Sequence, residues 1–156
     1  MGVSGSGKTT VGLALAQKLG APFYDGDNFH PPQNIAKMAA GIPLDDEDRF
    51  VWLVRLHDLI ADHLAQGETA VVACSALKKK YREQLRQGND GLHIVYLEGS
   101  FDLIRERMEA RHPHYMKANM LQSQFETLEP PSPHDTLILI ADDAVDNIVN
   151  RIVSSL

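Results

Sequence analysis

The sequence predicts an α/β fold built on a parallel sheet with helices on both faces. Three observations predict it. Short apolar runs alternate along the whole chain with stretches whose apolar residues recur at helical spacing. The short runs are continuous rather than alternating, the pattern of strands covered on both faces. Near the N-terminus a glycine-rich loop opens a helix, as happens at the end of a strand in such sheets.

In chain order, Gly2-Val3-Ser4-Gly5-Ser6-Gly7-Lys8-Thr9 leads into a helix with Val11, Leu15 and Leu19 on one side, and Gly20 supplies its stop. Such a loop hangs from a buried strand, yet only Met1 precedes Gly2, so the first strand of the sheet is expected to be missing. The sequence leaves open whether this is a shortened form of a longer protein or a natural short form. A strand over 22–25 follows, then Pro31-Pro32, a helical piece around Ile35 and Met38, and a break at Gly41-Ile42-Pro43. Asp45-Asp46-Glu47-Asp48 open the longest helix, because acidic residues suit the positive end of the helix dipole. Trp52, Leu56, Leu59 or Ile60, and His63 or Leu64 line one side of it. Next come a strand over 69–74, a helix over 76–87 ended by Gly88, a strand over 93–97 and a helix over 101–111. A basic loop leads to a helix over 117–128 that stops at Pro130-Pro131. A strand over 136–140 and a helix carrying Val145, Ile148, Val149 and Ile152 complete the pattern.

The 156 residues suit one domain, 1–156, with a real core. A net charge of −6 and a pI near 5.6 argue against a general nucleic-acid or anionic-membrane surface. Cys74 is the single cysteine, which excludes a disulfide framework and reads as a buried, inert thiol in a reducing compartment. No apolar run approaches the ~18 residues that span a bilayer, and no signal-peptide pattern opens the chain. A soluble cytoplasmic protein is expected.

Residues 2–9 fill every fixed position of the phosphate-binding loop, with Thr10 following. Glycines let successive backbone N–H groups turn toward a phosphate, Lys8 can bridge the β- and γ-phosphates, and the Thr9 hydroxyl can ligate Mg²⁺. The helix behind the loop adds its N-terminal partial charge. These residue types in this order predict binding of a nucleoside triphosphate.

In open α/β sheets ligands sit beyond the carboxyl ends of the strands. Asp25-Gly26-Asp27-Asn28-Phe29-His30 follows the strand over 22–25. Beside a nucleotide such a carboxylate pair can divide metal holding from proton acceptance; otherwise it is an acidic turn with Gly26 at positive φ. After residues 69–74 comes Ser75-Ala76-Leu77-Lys78-Lys79-Lys80-Tyr81-Arg82. Ser75 can cap the next helix, but cations in its first turns oppose the dipole, so an anion should compensate. Lys78 and Arg82, spaced i,i+4, read as a clamp for an anionic substrate. A third basic group runs through Arg105, Arg107, Arg111, His112, His114 and Lys117. Arg105 is expected to pair with Glu109, whereas Arg107 and Arg111 share a face suited to the transferring phosphoryl group. Arg49 either serves the site or pairs with Glu47 or Asp48. His57 and His63 suit packing or surface roles, and Trp52 suits the core.

Together the phosphate loop, Asp25-Gly-Asp-x-x-His30-Pro31, Asn34, Lys37-Met38, Gly41 through Arg49, Trp52-Leu53, Cys74-Ser-Ala-Leu-Lys78, Tyr81-Arg82 and Ser123 through Pro130 resemble the gluconokinases over nearly the whole chain. The resemblance implies a P-loop kinase fold like that of shikimate and nucleoside monophosphate kinases. It implies ATP-dependent phosphorylation of D-gluconate at its C6 hydroxyl, giving 6-phospho-D-gluconate, and it implies a homodimer. By the same resemblance Gly2, Val3, Ser4, Gly5, Ser6, Gly7, Lys8, Thr9 and Thr10 hold ATP and Mg²⁺, Asp25 lies near the metal and Asp27 near the substrate hydroxyl. His30, Arg49, Lys78 and Arg82 would face the sugar acid, and Arg107 and Arg111 would serve the nucleotide from a lid over about 107–120. The chain departs from the family at Pro113-His114-Tyr115, where Gly-His-Phe is usual. Two other readings stay open: a nucleotide-binding module without transfer activity, and a kinase for shikimate or another small hydroxy acid.

Overall fold

A computed structural model of the chain describes residues 1–111 and 118–156. Helix α1 (Lys8–Leu19) precedes strand β1 (Phe23–Asp25), a 3-10 turn (Gly26–Phe29), α2 (Pro32–Ala39) and α3 (Asp46–Ala65). Then come β2 (Val71–Ala73), α4 (Lys79–Arg86), β3 (Val95–Glu98), α5 (Phe101–Arg111), α6 (Ala118–Thr127), β4 (Leu137–Ile140) and α7 (Val145–Val153). The expected alternation of strands and helices is present. Pro113-His114-Tyr115 and the middle of the expected lid lie outside the described residues.

The strands form two parallel pairs, β1 with β2 and β3 with β4. Met1 and Gly2 join the pairs. The Met1 amine donates to the Val95 carbonyl. The Met1 carbonyl accepts from the Leu97 N–H at 3.0 Å, and the Gly2 N–H donates to the Ser75 carbonyl at 3.2 Å. Met1 and the Gly2 N–H thus bond in the manner of a strand between the two pairs. Toward the amino ends of β2 and β3 the pairs part around a cavity of about 410 Å³ lined by Val11, Leu15, Val71, Val72, Val95 and Leu97. Burial pushes the Met1 amine down to about 5, with the Lys8 charge acting in the same direction.

Three packed groups hold the elements. Val11 and Leu15 of α1 meet Leu97, Leu139 and, on α7, Ile148, Val149 and Ile152. Trp52, Leu53, Leu56 and Ile60 of α3 pack on Tyr81 and Leu85 of α4. Under the phosphate loop, Val3 packs with Leu77, Ile104 and Leu121. The ends of the helices follow local chemistry. Gly20 ends α1 in a left-handed conformation, and its N–H reaches the Ala16 and Gln17 carbonyls. Asp45 and Asp48 close a reciprocal capping box at the start of α3.

The strands are shorter than expected or shifted by one or two residues, and one helix start differs by more. The helix expected over 76–87 begins at Lys79, and Lys78, not Ser75, stands at its N-cap without a side-chain cap. The Lys79 N–H instead donates to Glu129 Oε2 at 2.6 Å. A carboxylate distant in sequence supplies the anion that the local basic run lacks.

Candidate active site

The phosphate loop is shaped by its glycines. Gly7 precedes α1 at φ 96°, a left-handed conformation that glycine adopts without steric cost. No side chain caps α1, so its first-turn amides are left for an anion. Lys8 Nζ donates to the Val3 carbonyl at 2.9 Å. Burial lowers the Lys8 pKa, while the negative charges of Asp27 and, more weakly, Asp25 oppose that shift. Thr9 and Thr10 are exposed on the first turn of α1. Ser6 is buried, and its hydroxyl has no hydrogen-bond partner among the described residues.

Opposite the loop, β1 delivers Asp25 into the 3-10 turn. Gly26 does not have a positive φ, in contrast to the turn reading. Its need is closeness, because a Cβ there would lie 2.6 Å from the Ala73 carbonyl oxygen. Asp25 Oδ1 accepts the Asp27 N–H at 3.1 Å, which leaves the Asp27 carboxylate exposed on the turn. Trp52 is core, as expected, and also organises the site: its Nε1–H donates to the Gly26 carbonyl at 2.7 Å. Its indole stacks on His30 with ring centres 4.4 Å apart.

His30 is buried, and burial holds its pKa below the ordinary value, with Asp27 pulling it up and Arg49 pushing it further down. Asn34 Nδ2 lies 3.3 Å from His30 Nδ1 and also donates to the Asp48 carbonyl at 2.9 Å. With Nδ1 accepting from Asn34, the proton of the neutral ring sits on Nε2 as a donor. Arg49 makes no ion pair among the described residues. Asp48 binds Lys37 at 2.7 Å instead.

The basic turn after β2 is held from several sides. Ala76 is the only non-glycine at positive φ among the described residues, at 42°, a strained conformation of the kind that surrounding contacts must impose. The Arg82 guanidinium imposes it, donating to the Ala76 and Leu77 carbonyls at 3.2 and 3.1 Å. Lys78 Nζ donates to Asp46 Oδ1 at 2.9 Å, and Lys80 and the Tyr81 hydroxyl bind the same carboxylate. Lys80, Tyr81 and Lys78 together hold Asp46 far below the usual carboxylate range.

The sequence-derived sites therefore divide. Asp27 and the Lys8 ammonium face one another electrostatically, as do Arg49 and His30. The expected clamp does not form as a pair: Lys78 engages Asp46, and Arg82, only 5% exposed, is turned into its own loop. Arg107 donates to the Ala141 carbonyl at 2.8 Å and to Asp142 at 3.1 Å, so it braces the turn between β4 and α7. Arg105 reaches Asp102 at 3.4 Å and Glu109 at 3.9 Å, in line with its expected pairing. The Arg111 side chain lies outside the described residues. Sequence reading gave Asn34, Trp52 and Asp46 no site role. Their contacts are long-range, and the acidic run containing Asp46 already had a sufficient explanation as the first turn of a helix.

The family model described as "Shikimate kinase" matches residues 4–156. The chain is 46% identical to the "Thermoresistant gluconokinase" of Escherichia coli (strain K12) over 99% of this chain and 87% of that one. It is 48% identical to the "Probable gluconokinase" of Mus musculus over 92% of this chain and 87% of that one. The crystal structure of a gluconokinase from Sinorhizobium meliloti 1021 superposes with a TM-score of 0.87 at 45% identity, covering 99% of this chain and 87% of its own. With a phosphate loop, an acceptor turn whose Asp27 charge acts on Lys8, and these similarities along nearly its full length, the chain belongs to the gluconokinases within the shikimate kinase type of P-loop kinase.

Proposed function

We propose that the protein transfers the γ-phosphoryl group of ATP to the C6 hydroxyl of D-gluconate, giving 6-phospho-D-gluconate and ADP. One observation carries the reading. The exposed carboxylate of Asp27 acts electrostatically on both Lys8 of the phosphate loop and His30 of the acceptor turn, which supports reading it as a proton acceptor between a phosphate cation and a sugar-facing donor.

In this reading Gly2 to Thr10 wrap the triphosphate, and Lys8 exchanges its bond to the Val3 carbonyl for phosphate oxygens. Asp27 accepts the proton of the attacking hydroxyl, while Trp52 and Asn34 fix the His30 ring so that Nε2–H can donate to the polyol. Arg49 and Lys78 supply the positive charge for the carboxylate of the sugar acid, with Lys78 leaving Asp46 to do so. Arg82 serves substrate binding indirectly, by holding the turn that presents Lys78. Arg107 and Arg111 belong to the nucleotide side.

Mg²⁺ fits this donor set. No group of three or more His, Cys, Asp or Glu residues able to hold a metal ion occurs among the described residues. The exposed Thr9 hydroxyl and Asp25 offer the one or two protein ligands typical of magnesium carried with a nucleotide. Bound there, the ion would neutralise charge on the β- and γ-phosphates.

Cys74 is a buried thiol whose pKa burial pushes up to about 11, which makes it inert, and a cytoplasmic setting is proposed from the likeness to other gluconokinases. The homodimer implied by the resemblance is checked by light scattering on the purified chain. Activity is tested by following ADP release with gluconate, shikimate and related hydroxy acids, and by identifying the product by phosphorus NMR. The reading expects turnover with gluconate and a primary phosphate ester. Turnover with shikimate alone, or nucleotide binding without turnover, would replace it with one of the two other readings.

A further inference from the structure

The segment Ser123 to Pro130 carries much of the sequence resemblance, yet the reaction as described does not use it. In the fold it is a brace. At one end Gln124 of α6 takes both polar groups of Ser4: its Oε1 accepts the Ser4 N–H at 2.7 Å, and its Nε2 donates to Ser4 Oγ at 3.0 Å. At the other end the Glu129 N–H donates to the Leu77 carbonyl at 2.9 Å, and its carboxylate accepts the Lys79 N–H. Between them Phe125 packs edge-on against Phe101 at 5.5 Å, and just before Gln124 Leu121 is buried beside Val3 and Leu77.

Ser4 lies within the phosphate loop, two residues after its first glycine. A backbone N–H here that lacked a partner would be free to turn, and the neighbouring amides would turn with it. We infer that Gln124 is a positioning residue for phosphoryl transfer, fixing the Ser4 peptide so that the loop amides are aligned before the nucleotide arrives. The inference rests on the reading that this loop holds ATP. Its physical basis is preorganisation: donors held in place by bonds to the protein need not be ordered during the reaction. Both bonds go to one residue, and a side chain serving only to fill space would need neither.

The test is steady-state kinetics on the full chain with Gln124→Met, which keeps length but removes both polar contacts, and with Gln124→Glu. The glutamate can accept from both the Ser4 N–H and hydroxyl but brings a negative charge to the phosphate loop. For Gln124→Met, kcat should fall about 10- to 100-fold, the scale of a small misplacement of reacting groups, while KM for gluconate and the melting temperature change little. For Gln124→Glu, affinity for ATP should fall more than affinity for ADP, and added salt should narrow the difference. A double-mutant cycle with Ser4→Ala should be non-additive, because one bond is shared. Unchanged kcat in Gln124→Met, a loss of activity that tracks a loss of melting temperature, or additivity in the cycle would each overturn the inference. Calorimetry of ATP binding to the unsubstituted chain separates the two failures: absent binding removes the reading of the loop, whereas normal binding with a fully active Gln124→Met removes only the role of Gln124.

Discussion

Two neighbouring loops of the site, Gly2 to Thr9 and Ser75 to Arg82, joined by the bond from the Gly2 N–H to the Ser75 carbonyl, are both built to meet negative charge, but they are specified differently. The turn of the phosphate loop comes from its own residues, with one distant brace: Gly7 turns the chain at φ 96°, α1 follows at once with its amides uncapped, and Gln124 holds Ser4. The basic turn takes its form from elsewhere. Asp46 lies more than thirty residues before Lys78 and Glu129 fifty after Lys79, and the strained Ala76 is held by Arg82. The first loop is encoded mainly by its glycines, with Gln124 as its brace, and is chemically generic. The second depends on the whole fold.

Substitutions can break this contrast, beginning with the largest effect. Lys8→Ala should abolish transfer while the circular dichroism spectrum stays native, because the loop geometry comes from glycines rather than from Lys8. An unfolded variant, or normal turnover in a folded one, would contradict that. Asp27→Asn keeps size and removes the proton acceptor; kcat should fall by about 10²- to 10⁴-fold, the usual scale of general-base help, with ATP affinity nearly unchanged. If Asp25→Asn produced this pattern and Asp27→Asn did not, the roles of the two carboxylates would be exchanged.

The basic turn should respond in two different ways. Arg82→Met removes a buried guanidinium that satisfies two carbonyls, and is expected to lower stability by about 1–3 kcal/mol, the cost of leaving buried acceptors unpaired, and to raise KM for gluconate as the turn relaxes. Lys78→Met should raise KM for gluconate with little change in melting temperature, since its exposed pairing with Asp46 contributes little. Equal effects of both on stability would erase the distinction between holding the turn and meeting the substrate.

A smaller effect follows from Met1. Its amine titrates near 5 in the folded chain, against an ordinary value of 8.0, so the fold favours the neutral form. The associated stability is present above about pH 8 and is lost as pH falls toward 5, where the unfolded chain binds the proton and the folded chain resists it. Five to eight apolar residues placed ahead of Met1, a usual strand length, would convert the amine to an amide and extend the bonding that Met1 and Gly2 make to β3 and to Ser75 beyond β2. Melting temperature should rise, and its decline between pH 8 and 5 should flatten. Identical melting curves for the two forms across this range would show that neither the amine nor the partial strand limits stability.

Much of this was legible in sequence wherever the rule is local. The alternation of elements, the phosphate loop and the acidic start of α3 follow from spacing and capping preferences of neighbouring residues. The limits are equally physical. Gly26 read as a turn glycine, and only the approach of the Ala73 carbonyl at 2.6 Å reveals why a side chain is excluded. Lys78 and Arg82 share a spacing that puts them on one face of a regular helix, but the helix starts after Lys78, so the spacing rule did not apply. Asn34 and Gln124 each join residues through a pair of hydrogen bonds, to His30 and Asp48 and to Ser4 respectively, for which a lone chain carries no periodic signal.

The central claim is that charge at the acceptor side selects a sugar acid for phosphorylation by a conventional phosphate loop. It is tested most directly by kcat/KM for gluconate and for glucose, measured by coupled ADP release on the same preparation. Gluconate carries the carboxylate that Arg49 and Lys78 would meet, and glucose lacks it. Efficient turnover of gluconate with negligible turnover of glucose is predicted, and comparable kcat/KM for the two sugars would contradict the account.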